Sequence, residues 1–199
     1  MSNYSDYKHL AELVSYSFHG IRLNDVEVCL LWDLAGGRHR FSIRHAFKFM
    51  FAFNVSSIKL SEEKDFIATF MSGYREDHYE LFTKVIDGLS VKPLVTPLFE
   101  VNNRVTFHPF VFIKVFFDII RRTSGGNMRL TDRVHLCIEY AYLCNTILEL
   151  EKINFSHIRK YLCMCHVLGM ENLLTQYFRK KGIETFSLQE GIYLVYKKN

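Results

Sequence analysis

A carboxylate placed just past an apolar strand can take a proton from a hydroxyl held at the strand's end. The turn Gln189-Glu190-Gly191 offers such a group, since Glu190 follows the run Ile183 to Leu188. His166 offers a second general base, because it ends the apolar run Tyr161 to Cys165. Two further loops have the chemistry of substrate contacts. Ser72-Gly73-Tyr74-Arg75 leads from an apolar run into a helical one, so its backbone N–H groups can hold an anion. Glu171 and Asn172 open the helical run that follows His166. For each there is a plainer alternative: a connector at Ser72–Arg75, an acid favoured by the helix dipole at Glu171, and a turn residue beside a glycine at Glu190.

These residues need elements to hold them, and the hydrophobic pattern supplies those. Phe66 to Met71 reads as a buried strand, Glu76 to Ile86 as a helix with Tyr79, Leu81, Phe82 and Val85 inward, and Leu94 to Val101 as a strand. Residues 109–122 and 130–151 read as helices, the second with an inward stripe of Val134, Ile138, Ala141, Ile147 and Leu148. Arg159 to His166 reads as a strand, Glu171 to Lys181 as a helix stopped at Gly182, and Ile183 to Leu188 as a strand. Two strand–helix–strand units with a helical insertion predict an α/β class, a Rossmann-like three-layer domain with a parallel sheet over 61–199. Residues 1–60 read as a helical segment before it, with a helix over 4–19. Strand ends of such a sheet are where ligands sit.

Composition narrows the function. The 199 residues are 49% hydrophobic and 15% aromatic, enough for a packed core, and a net charge of +4 is too small and too scattered to predict nucleic acid as a partner. Arg38, Arg40, Arg44 and Lys48 alternate with Phe41 and Phe47 in a basic amphipathic stretch. It reads as a surface helix with its aromatic side in the core, or as a peripheral contact with an anionic membrane. The start carries no secretory pattern and no stretch is long enough to span a bilayer, so a cytoplasmic place is expected. Cys29, Cys137, Cys144, Cys163 and Cys165 read as reduced thiols, four of them in apolar surroundings. Cys163-x-Cys165 has no second pair at zinc spacing, so no metal is expected. The chain contains no G-x-S-x-G, no Walker A loop and no G-x-G-x-x-G, which disfavours common hydrolases, P-loop enzymes and dinucleotide dehydrogenases; no cofactor is expected.

The run from Glu171 to Gly191, with its Asn172 helix, Lys180-Lys181-Gly182-Ile183 stop and Gln189-Glu190-Gly191 turn, resembles the N-terminal half of GT-B-fold glycosyltransferases that build bacterial surface polysaccharides. Teichoic-acid-type polymerases and bacterial sialyltransferases share the pattern. Phe66 to Phe82 resembles the first unit of the same half, and the likeness covers about residues 65–101 and 160–192. It implies an acceptor-side domain in capsule- or lipopolysaccharide-type synthesis. Its partners would be a glycan or lipid-linked acceptor and a separate donor-binding domain or subunit, since 199 residues hold one half. Many relatives have His where Glu190 stands, and the sialyltransferase-like base corresponds to Gln189. A role for Glu190 as base would thus be shifted by one position. The alternative class is a non-catalytic α/β module that binds a protein or a membrane surface.

Overall fold

In the computed structural model, residues 4–37, 45–71, 76–125, 128–165, 167 and 169–188 are described. The chain begins with α1 (Tyr4–Leu13), shorter than the helix expected over 4–19, because Ser17–Phe18 (β1) and Ile21–Arg22 (β2) turn back on each other as a small antiparallel pair. His19 and Gly20 make that turn with φ of 48° and 77°. Two helices follow, α2 (Leu23–Val26) and α3 (Val28–Ala35), joined at Glu27. The predicted amphipathic stretch falls partly outside the described residues, which omit Arg38, Arg40, Phe41 and Arg44. Its described end is a single 3₁₀ turn, Lys48–Met50, running into β3 (Phe51–Phe53).

The main sheet uses Phe66–Phe70 (β4), then helix α4 (Glu76–Gly88), then Leu94–Pro97 (β5). The predicted strand to Val101 stops at Pro97, and a 3₁₀ turn takes over at Leu98–Glu100. Asn103–Val105 (β6) pairs antiparallel with β3. The helical insertion is α5 (Pro109–Thr123) and α6 (Leu130–Glu151), packed on each other. Lys160–Cys163 (β7), α7 (Gly169–Lys180) and Glu184–Ser187 (β8) complete the described fold.

The four strands lie in the order β5-β4-β7-β8, all parallel. Side chains alternate across such a sheet. Phe66, Ala68, Phe70, Leu162 and Met164 face α4, where they pack with Phe82 and Ile86. Ile67, Tyr161 and Cys163 face the other way, into the large core shared with α5, α6, α7 and the N-terminal helices. The result is a mixed α/β, Rossmann-like architecture with helices on both faces of a parallel sheet.

Two packing expectations differ. In α4, Leu81 is exposed and Phe82 with Ile86 makes the buried contact, while Tyr79 lies at its margin, partly exposed with its ring edge-on to Phe70 at 5.1 Å, since one helix lying on a sheet buries only a narrow stripe. In α6 the expected stripe is replaced by burial on all sides, with Val134 and Leu148 only half-buried while His135, Glu139, Asn145 and Glu149 go inside. Cys137, Cys144 and Cys163 are buried, Cys165 is half-buried and Cys29 is exposed, so three thiols rather than four have apolar surroundings.

Candidate functional site

Chain order and strand order part company between β4 and β7: from β4 the chain steps outward to β5, then returns to the other side of β4 through β7. At such a divergence the loops leave in opposite directions and open a crevice at the C-terminal strand ends. Register holds those ends level, with Thr69 opposite Cys163 and Cys163 opposite Ser187.

Glu171 stands at these strand ends. It sits in the first turn of α7, 2% exposed, after Gly169 turns the chain with φ 58°. Its Oε1 accepts the Met164 N–H at 3.2 Å and the Thr69 hydroxyl at 3.3 Å, and its Oε2 accepts the Cys165 N–H at 3.0 Å. Thr69 and Tyr161 hydroxyls meet at 2.7 Å, so the chain Tyr161–Thr69–Glu171 ties β7 and β4 to α7. Burial, with the charges of Cys163 and Glu171, pushes the Tyr161 phenol far above its ordinary range, so it stays protonated. Glu171 thus uses its oxygens to fix the loop after β7, which makes it a positioning residue for the crevice.

Asn172 accepts the Gln176 amide at 2.7 Å, and Gln176 exchanges hydrogen bonds with the Arg22 backbone at 2.8 and 3.2 Å. It therefore steadies α7 against the N-terminal pair. Ser72, Gly73, Tyr74, Arg75, His166, Gln189, Glu190 and Gly191 lie outside the described residues. The strands that lead to them end together at this edge of the sheet.

Sequence reasoning missed a second group of polar side chains, centred on α6. Its Asn145 amide donates to the carbonyls of Phe49 and Phe51 at 2.8 and 3.1 Å, and its Thr146 hydroxyl accepts the Phe53 N–H at 3.0 Å. Those bonds bring Lys48 over α6, where its Nζ meets Glu139 Oε2 at 2.5 Å and lies 4.4 Å above the Tyr142 ring. His135 Nε2 reaches Glu139 Oε1 at 3.2 Å, and the His135 ring stacks on His45 at 5.5 Å. Tyr142 donates to Asn103 Oδ1 at 2.9 Å. His45, Lys48, Phe51 and Asn103 line a cleft of about 360 Å³ above these groups.

Two carboxyls here are driven apart in acidity. Burial works to raise the Glu139 carboxyl, but the His135 hydrogen bond and the Lys48 charge outweigh it and hold it below its ordinary value. Glu27 is pushed up to about 7, by burial first and then by the charge of Glu139, with Lys48 acting against both. Each carboxyl feels the other's charge, so the two titrate as a pair. The readable signal for the cluster was a His135/Glu139 pair at i, i+4 inside an otherwise apolar helix.

Among the described residues no three His, Cys, Asp or Glu side chains gather as a metal ion would require, and no helix is long and apolar enough to cross a membrane. No known protein family, no curated protein and no solved structure matches the chain.

Proposed function

We propose that the chain is the acceptor-side domain of a glycosyltransferase in surface-polysaccharide synthesis, working with a donor-binding domain or subunit. The observation that supports this reading most is the divergence of chain order between β4 and β7, with Glu171 tying the ends of both strands to α7. Two of the loops that the sequence marks as ligand candidates, Ser72–Arg75 and the one at His166, follow β4 and β7. Glu190 or His166 would take the acceptor hydroxyl's proton there. The acceptor would be a glycan, free or lipid-linked, and no nucleic acid is a partner on this reading.

Amide-shift mapping with a panel of short bacterial surface oligosaccharides tests it. The expected shifts are at Thr69, Met71, Met164, Cys165 and the first turn of α7. No shift across the panel, or shifts only at sites remote from β4 and β7, would refute the reading. A second reading, a non-catalytic interaction module, is favoured by the outer face of α5, where Phe110 is 85% and Phe117 is 67% exposed. Sugar transfer from a nucleotide donor by the chain joined to its donor-binding partner would exclude that module.

A further inference from the structure

We propose that the outer face of α5 is a lipid-docking surface, which lays Phe110, Ile113 and Phe117 into the headgroup–acyl boundary of an anionic bilayer and sets Lys114 and Arg121 against its phosphates. The inference does not depend on sugar transfer, and it rests on the residues of α5 rather than on those of the Arg38–Lys48 stretch.

Helical geometry makes the face. Val115, Ile119 and Thr123 are the buried side of α5, turned to α6. On the opposite side, Phe110, Ile113, Lys114, Phe117 and Arg121 recur at the spacing of one helical face and are all exposed. From Phe110 to Arg121 the ridge runs about 16 Å along the helix. Val105 and Phe107, both exposed, carry apolar surface up to its start. Bare phenylalanines in water are unfavourable, and a contiguous set of them marks a contact surface.

Charge selects the occupant. Lys114 and Arg121 stand among the phenylalanines on this face, while Arg122 turns to the Ser15 carbonyl at 2.7 Å and Arg104 pairs with Glu149 at 3.5 Å. The acid on this part of the helix is Asp118, itself 3.9 Å from Arg121. A protein interface closing over the ridge would have to strip water from these cations, which is costly without matched carboxylates. A bilayer surface takes the rings into its apolar layer while the long cationic chains reach phosphate and stay hydrated. The cations also have a use there, since anionic lipid attracts them.

Vesicle sedimentation of the purified chain tests this, with phosphatidylcholine alone and with equal parts phosphatidylcholine and phosphatidylglycerol, at low and high salt. The parent chain is expected to pellet with the anionic vesicles and to be released by salt. Phe110→Ser with Phe117→Ser should weaken binding roughly tenfold per ring, as expected for rings that leave water. Lys114→Glu with Arg121→Glu should abolish the anionic preference. Both pairs are exposed, so circular dichroism should show an unchanged fold. A Phe117→Trp variant gives an independent reading, since its emission should shift to the blue on anionic vesicles while that of the parent, from Trp32 alone, should not. The proposal is overturned if the parent chain does not prefer anionic vesicles, if the serine pair pellets like the parent, or if the emission of the Phe117→Trp variant stays unshifted. It is equally overturned if light scattering shows that the serine pair breaks a dimer while no vesicle binding occurs.

Discussion

Replacing Glu27 with Gln should make the protein more stable above neutral pH and leave it unchanged below about pH 4. The native carboxyl keeps its proton up to about pH 7, whereas the unfolded one releases it at its ordinary value of 4.5. Between those values the native state binds more protons than the unfolded state, so stability falls as pH rises. Glu27 therefore costs nothing below 4.5 and its full amount above 7. The interval is 7 minus 4.5, or 2.5 pH units, which at 1.36 kcal/mol per unit is about 3 kcal/mol. Gln keeps the shape and carries no charge to bury. Glu139 is held below its ordinary value, so it is ionised throughout the window and drops out of the difference between the two proteins. Urea unfolding at about pH 4 and about pH 8.5 measures the effect. The variant should match the parent at the first pH and exceed it by about 3 kcal/mol at the second, roughly 6–12 °C in Tm for a chain of this size. Parallel stability curves across that range would refute the argument, because they would mean that Glu27 ionises as easily in the fold as outside it.

Lys48→Met leaves Glu139 buried beside His135 without its main cation, and should cost roughly 3 kcal/mol by denaturant unfolding at pH 7; adding Glu139→Gln should recover most of it. Glu171→Gln puts an amide donor where a carboxylate accepts from the N–H groups of Met164 and Cys165, so Tm should fall with a loss of about 1–3 kcal/mol, and glycan-induced shifts at Cys165 should weaken. In a reconstituted transferase, Glu190→Gln should lower kcat by about 10²–10⁴-fold with Tm unchanged, and His166→Ala belongs in the same assay; full activity in both variants would move the base to another chain.

The strands and helices of the sheet region were legible because their patterns are local. Apolar runs at Phe66–Phe70 and Tyr161–Cys163, and a helix with Gly182 after Arg179 and Lys180, need no distant partner to be recognised. The two-residue strands β1 and β2 are too short to show a period. Leu81 was placed inward by hydrophobicity alone, but α4 lies on the sheet with Phe82 and Ile86. The polar cluster was the hardest to see. Lys48 and Glu139 are separated by 91 residues, and only the packing of the Lys48–Phe53 segment on α6 brings them together. Glu171 was visible as an acid at a helix start; that its two oxygens close the loop after β7 depends on the strand ends standing level.

The pairing of β4 with β7 has a consequence for how the chain is made. Phe66 bonds beside Lys160, so one edge of β4 waits for a strand 94 residues further along. At ribosomal rates of about 5–20 residues per second, that delay is roughly 5–20 s. During it β4 can join β5, but its other edge stays open, and the sequence Phe66-Ile-Ala-Thr-Phe70 carries no charge and no proline to discourage pairing with another nascent chain. The α5–α6 insertion thus sets a period of vulnerability during synthesis. Slower elongation between residues 110 and 160 should lower the soluble yield, and a holdase that covers open strand edges should restore it.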